Sequence, residues 1–258
     1  MDKKGVITGN SRSVSSNQQE VHDKLPELVT RYLASDSQKP IQQHTLDAFE
    51  QVSEWLNLQL KAAPDSNIIL DSCCGVGEST WRLAKENPNA FVIGVDKSFD
   101  RLQKHGQQLE YKEYSKGPRK SAKSGSKEHS PVTLETVFHS IDNYCVARAD
   151  VIDFWRMVQQ QSWNITQHFI FYPNPYPKAS QLQKRWHGCQ SFKDIVNIGG
   201  ELTVRSNWKI YIQEFALALE IAGKTPSLRE VEKYEPFTPF ERKYWNSGQN
   251  SWQVVCKL

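Results

Sequence analysis

Between Asn67 and Thr80 the chain reads NIILDSCCGVGEST, and this stretch narrows the folds open to it more than any other. Ile68, Ile69 and Leu70 form a short apolar run with the pattern of a buried strand. Asp71 follows at once, then the small-residue turn Cys73-Cys74-Gly75-Val76-Gly77, and a helical pattern starts at Glu78. Strand, glycine turn and helix N-terminus in that order cradle a cofactor, because glycine lets the backbone approach a ligand with no Cβ in the way. A second strand, Phe91–Val95, ends at Asp96, and an acid at that tip suits a ribose with two hydroxyls to donate.

Two nucleotide cofactors compete for such a cradle. A dinucleotide needs three glycines so that its pyrophosphate can sit on the helix N-terminus. Here only Gly75 and Gly77 are present, and Asp71 would repel a pyrophosphate while it could pair with an amino or sulfonium group. Both features favour S-adenosylmethionine over NAD. The rival is a plain glycine turn in an α/β core.

At 258 residues the chain has room for one sheet and two helix layers. Its net charge of +3 is compatible with a nucleic-acid partner without demanding one. Five cysteines, two of them adjacent, form no disulfide framework and no C-x-x-C pair; the histidines are scattered. No metal site is expected. Residues 1–24 are expected as a disordered lead, because the first twenty are rich in Ser, Asn and Gln and lack a signal peptide's apolar core. No run of about 18 apolar residues occurs, so no membrane span is expected and the protein reads as cytoplasmic.

Residues 25–258 read as a single domain. Leu46, Phe49, Val52, Leu56 and Leu60 recur at helical spacing ahead of the first strand, giving a helix over 41–60. A helix through Leu102 and Leu109 follows Asp96, and then residues 112–131 carry six Lys/Arg against two Glu with almost nothing apolar. This reads as a flexible basic insertion, a solvated run that would add salt-dependent but unspecific affinity if it touched phosphates. Tyr144–Arg148 is a third strand. Asp150, just beyond it, either accepts from an adenine amino group, or N-caps the helix 151–158, or does both. Residues 199–205 are a glycine-led fifth strand, 211–222 a helix, and 251–258 a last strand with alternate apolar residues.

The fourth strand, His168–Tyr172, runs into Pro173-Asn174-Pro175-Tyr176-Pro177-Lys178. Three prolines on alternate positions exclude helix and inner strand and hold Asn174, Tyr176 and Lys178 on a rigid extended loop. In an open α/β sheet, ligands bind outside the carboxyl ends of the strands, where this loop lies.

With these motifs in order, the chain resembles the tRNA (guanine-N7)-methyltransferases, a class I family dependent on S-adenosylmethionine. The family's L-E-I-G-x-G-x-G is similar to Leu70–Gly77, its P-D-P-W-P-K to Pro173–Lys178, and its following basic run to the stretch holding Lys184 and Arg185. Its T-D-W-x-x-Y segment resembles Ser206–Tyr211, and its T-x-F/Y-E-x-K/R signature resembles Thr238–Lys243, with Gly248 beyond. The resemblance covers about residues 41–258. It implies an α/β fold with a mostly parallel Rossmann-like sheet, an antiparallel C-terminal strand and helices on both faces. It implies S-adenosylmethionine as cofactor, tRNA as partner, and a monomer or homodimer. Asp71, Gly75, Gly77, Asp96, Asp150 and Asn174 would line the cofactor; Lys178, Asn207, Thr238 and Glu241 would meet the substrate; Asn174 and Glu241 would serve the transfer itself.

The chain departs from the family at Cys73 (for Gly), Asn174 (for Asp), Tyr176 (for Trp) and Asn207 (for Asp), and half of the basic run is gone. Asn174-Pro175-Tyr176 also resembles the N-P-P-Y/F loop of amino methyltransferases, so methylation of an exocyclic amine is the alternative reaction. A degenerate member that binds tRNA or a partner without transferring methyl is the non-enzymatic alternative. Trp208 is a candidate for stacking on a base. Cys73 and Cys74 read as packing residues, and Ser79 as capping or facing the helix start.

Overall fold

The computed structural model describes residues 7–105 and 137–258. Strand β1 (Asn67–Ser72) lies at the centre of an eight-stranded sheet, because its residues are apolar on both faces. Ile68 and Leu70 enter the core on one side, and Ile69 enters a second core on the other. A run buried in this way pairs in parallel with neighbours whose crossover helices cover both faces. β1 pairs in parallel with β2 (Ala90–Asp96) on one side and β5 (Ile165–Phe171) on the other. The full order is β3-β4-β2-β1-β5-β6-β8-β7, with β4 (Tyr144–Arg148) parallel to β2 and β6 (Glu201–Ser206) parallel to β5. The chain leaves β1 toward β2 and later returns past it to β5. That reversal is the switch point at which open α/β sheets bind ligands.

Three of the strand pairings are antiparallel. β8 (Trp252–Lys257) pairs with β6, as expected of the C-terminal strand. Two were not expected: β3 (Phe138–Ile141) beside β4, and β7 (Ser227–Glu230) beside β8. Both are short, largely exposed edge strands.

The larger core joins one sheet face to α1 (Leu25–Leu33), α2 (Gln43–Ala62), α5 (Val151–Val158), α6 (Phe192–Ile198) and α7 (Lys209–Ile221). Within α2 the buried stripe is Thr45, Ala48, Phe49, Val52, Trp55 and Leu56. Leu46, expected on that stripe, points outward because position 45 faces the sheet. The other face carries α3 (Glu78–Glu86), α4 (followed from residue 99 to 105) and, near the strand tips, α8 (Pro239–Asn246). Leu109 and the basic insertion at 112–131 lie outside the described residues.

The amino-terminal segment is a correction. Expected as part of a disordered lead, residues 7–24 lie against the domain. Thr8 and Gly9 donate from their backbone nitrogens to the Asn246 carbonyl at 3.0 and 2.8 Å. Ser16 Oγ donates to the Pro177 carbonyl at 2.5 Å, and Gln18 Nε2 to Glu214 Oε1 at 2.6 Å. A segment with few apolar residues is ordered here by hydrogen bonds to partners far along the chain, which composition does not register. No helix among the described residues is long and apolar enough to cross a membrane.

Candidate active site

The strand registers bring the expected cofactor residues to one end of the sheet. Asp71 pairs with Gly94, Ser72 with Ile170, and Asp96 with Arg148, so the tips of β1, β2, β4 and β5 stand side by side. The turn between β1 and α3 holds three left-handed residues, Cys73 (φ 63°), Gly75 (φ 63°) and Gly77 (φ 75°). A Cβ at Gly75 would meet nothing within 4 Å, so the backbone there faces open space. A Cβ at Gly77 would come within 2.6 Å of His105 Nδ1. The His105 ring packs against that glycine, its Nδ1 bonded to the Val76 carbonyl at 3.0 Å and its Nε2 to the Tyr144 hydroxyl at 3.2 Å. A carbonyl can only accept, so the network assigns the proton to Nδ1.

Asp96 accepts from Gly75 N at 2.9 Å and from Ser98 N at 2.8 Å, and lies 3.6 Å from Arg101 Nη1. A carboxylate offers about four acceptor directions, so the acid fixes the turn and retains capacity for a hydroxyl. Asp150 N-caps α5, its Oδ1 accepting from Ile152 N at 3.0 Å and Asp153 N at 3.4 Å. Its Oδ2 takes no hydrogen bond from any described residue, so one oxygen caps and the other faces out. Gly75, Asp96 and Asp150 thus suit an adenosine-bearing cofactor with an open backbone edge and two acceptors.

Asp71 is placed differently from the expectation. It is fully buried beneath the turn, and Oδ2 accepts from Ser79 Oγ and Thr80 Oγ1, each at 2.7 Å, while Oδ1 has no partner. Burial pushes its carboxyl up to about 7 against those two bonds. It ties the end of β1 to the start of α3 and is not open to a ligand. Ser79, expected at the helix start, acts through this bond. Burial also raises the Cys73 and Cys74 thiols, so neither is a ready thiolate.

The proline loop leaves β5 through Tyr172 and reaches Tyr176, both left-handed at φ 50° and 44°. Non-glycine residues in that region cost roughly 1–2 kcal/mol each, so neighbouring contacts must hold them. Tyr172 is held by its N–H to the Arg205 carbonyl (2.9 Å) and its hydroxyl to Ser251 Oγ (2.7 Å). Asn174 and Lys178 are exposed, Tyr176 is half-buried, and Asn174 Oδ1 accepts from Tyr176 N at 3.3 Å.

The remaining expected substrate residues are bonded to protein partners. Glu241 is fully buried, its Oε1 2.9 Å from Arg205 Nη1 and its Oε2 accepting from Phe237 N. Thr238 caps α8 by accepting from Glu241 N at 3.0 Å. Asn207 Nδ2 donates to Gln249 Oε1 at 2.9 Å. Trp208 is buried, with the Arg185 guanidinium 4.8 Å over its ring, and offers no free face to a base. The basic run divides: Lys184 is exposed, whereas Arg185 is fully buried.

His105, Arg101 and Ser251 were not singled out from the sequence, since each acts through a fold contact with no local motif. Among the described residues no group of three His, Cys, Asp or Glu could hold a metal ion. Cavities of about 370 and 380 Å³ lie over the sheet face around Phe169 and Arg205. Neither is lined by Gly75, Asp96, Asp150 or Asn174.

The family model Methyltransf_4, described as "Putative methyltransferase", matches residues 65–254. No curated protein matches the chain in sequence. Among solved structures, an antibiotic-related methyltransferase is 13% identical, with a TM-score of 0.49 over 75% of this chain and 88% of its own. The 16S rRNA methyltransferase KamB is 13% identical, with a TM-score of 0.48 over 75% and 88%. A 16S rRNA (adenine(1408)-N(1))-methyltransferase from Catenulisporales acidiphilia, described with its cosubstrate SAM, is 12% identical, with a TM-score of 0.46 over 80% and 90%.

Proposed function

Since the chain belongs to the Methyltransf_4 family of methyltransferases, we propose that it transfers a methyl group from S-adenosylmethionine to N7 of a guanine in tRNA. The observation that carries this reading is the strained Pro173–Lys178 loop, standing at the tip of β5 next to the open turn at Gly75. When bound, the cofactor supplies an electrophilic methyl. Gly75 offers it an open backbone edge, and Asp96 and the outer oxygen of Asp150 accept from its hydroxyl and amino groups.

Guanine N7 carries an in-plane lone pair and no proton, so no general base is required. The protein's task is to orient the base and exclude water, which is catalysis by proximity. Asn174 and Tyr176 do this from the loop, the amide bonding the base edge and the ring offering a stacking face. The ring gains positive charge during transfer, and a carboxylate nearby would stabilise it. Glu241 is committed to Arg205 and Asn174 is neutral, so orientation carries most of the effect. Lys178 and Lys184 are exposed, which supports assigning them to RNA phosphates.

A second reading has one observation in its favour: the loop presents a neutral amide where charge stabilisation calls for an acid. In this reading Asn174 Oδ1 and the Pro175 carbonyl accept from an exocyclic amine. Incubation with tritiated S-adenosylmethionine and bulk unmodified tRNA, followed by nucleoside analysis, separates the two. Label in 7-methylguanosine is the expected result. Label in an amine-methylated nucleoside supports the second reading. No label from a protein that still binds S-adenosylmethionine moves the substrate outside tRNA or leaves a binding protein, and no label and no binding refutes the enzyme.

A further inference from the structure

We propose that Arg185 is the positioning residue of the substrate loop, and that the amino-terminal segment around Gln18 completes its clamp. Arg185 donates from Nε to the Tyr176 carbonyl at 3.1 Å and from Nη2 to the Lys178 carbonyl at 3.2 Å. It therefore grips the loop by its backbone on both sides of Pro177, at the carbonyl of the left-handed Tyr176. The same guanidinium reaches Glu214 Oε2 on α7 through Nη1 at 2.5 Å, reaches Gln18 Oε1 through Nη2 at 3.0 Å, and lies over the Trp208 ring.

The far end of the clamp is anchored just as fully. Glu214 has no exposed surface, and four donors converge on its carboxylate: Arg185, His187 Nε2 at 2.8 Å, Gln18 Nε2 at 2.6 Å and His22 N at 3.0 Å. Burial alone would raise the Glu214 carboxyl, but these donors, His187 first and Arg185 with it, bring it down to about 2. Burial pushes the His187 imidazole below its ordinary value. One buried positive charge thus meets one buried negative charge. A pair like this is weak as a source of stability but strong as a fix on geometry, since displacing either partner strands a charge. The amino-terminal segment adds Ser16 Oγ to the Pro177 carbonyl and takes Ala179 N on Asn17 Oδ1 at 3.0 Å. The strained tyrosine, the guanidinium bonds to the Tyr176 and Lys178 carbonyls and the outer strap together indicate a conformation imposed on the loop by its surroundings.

This inference rests on the loop being the acceptor site, so the test has a readout that does not depend on activity. Amide hydrogen exchange is followed in the peptide spanning 173–182, which contains the bonded amides of Tyr176, Lys178 and Ala179. Arg185→Lys keeps the charge and loses the fork; Gln18→Ala removes three side-chain bonds (to Glu20, Glu214 and Arg185) at a half-buried outer position and leaves the core packing intact. In both variants loop exchange rises on the order of tenfold or more, as expected for lost charge-assisted bonds, while peptides from β1 and β2 stay protected. S-adenosylmethionine affinity holds within about twofold, and kcat falls more than KM rises. Unchanged loop exchange in a folded Gln18→Ala protein overturns the positioning role. A wild-type protein that transfers no methyl to RNA overturns the acceptor-site reading, and the exchange result still decides the clamp.

Discussion

Replacing Asp71 by Asn isolates the cost of a buried carboxylate whose second oxygen has no partner. The carboxyl moves from an ordinary 3.8 to about 7 in the folded protein, with burial as the main cause. Three units at 1.36 kcal/mol each give about 4 kcal/mol, an upper figure because some water reaches most buried sites. The folded state holds the proton more tightly than the unfolded chain, so this group favours folding below about pH 4. That contribution is lost as pH rises to about 7 and changes no further above. Asn cannot ionise and still meets the Ser79 and Thr80 hydroxyls. The stability of Asp71→Asn relative to wild type should therefore climb by up to about 4 kcal/mol between pH 4 and 7 and then level off. Guanidinium unfolding of both proteins at half-unit pH steps reads this directly, since the other titrating groups cancel in the difference. A difference that is flat with pH, or that falls, refutes the burial argument. The variant should also bind S-adenosylmethionine within about threefold of wild type, because Asp71 lies beneath the turn.

Asp150→Ser keeps a side-chain acceptor at the α5 cap and removes the outward oxygen. Thermal stability should move by less than about 1 kcal/mol, while calorimetry shows weaker cofactor binding; intact affinity would limit Asp150 to capping. Glu241→Gln should lower stability by about 1–3 kcal/mol through loss of its charge against Arg205 and leave cofactor affinity unchanged. A catalytic defect with no melting shift would instead place Glu241 at the base. Lys178→Ala and Lys184→Ala should each flatten the salt dependence of RNA binding, with the log–log slope changing by about 0.7–0.9 per phosphate contact.

Local chemistry made the centre of the sheet readable. NIILD followed by a two-glycine turn, and FVIGVD with an acid at its end, encode strand and tip within single short segments. The edge strands were not readable. FHSI and SLRE have little burial to imprint a pattern on them, and they are extended because β4 and β8 offer unpaired edges. Lys184 and Arg185 are adjacent cations in the sequence, yet one meets solvent and the other is enclosed. What separates them is Glu214, which reaches the guanidinium from another element. Glu241 shows the same limit: its position matched a substrate signature, while its side chain was claimed by Arg205, thirty-six residues earlier in the chain. Motifs placed the backbone correctly, and long-range ion pairs decided which side chains remained free.

The position of β8 sets an order on assembly during synthesis. β7 emerges from the ribosome before β8, and its ladder partner is β8, as is the outer edge of β6. Until residues 252–257 are made, β6 presents an open edge and SLRE has nothing to pair with. The first described residues wait as well, since Thr8 and Gly9 bond to Asn246. A nascent chain halted near residue 245 would hold a finished β1–β5 centre and an open edge at β6, with Thr8 and Gly9 still lacking their Asn246 partner. Such an edge is a template for pairing with other chains. β8 acts as a keystone: it covers the open edge of β6 and gives SLRE its ladder partner.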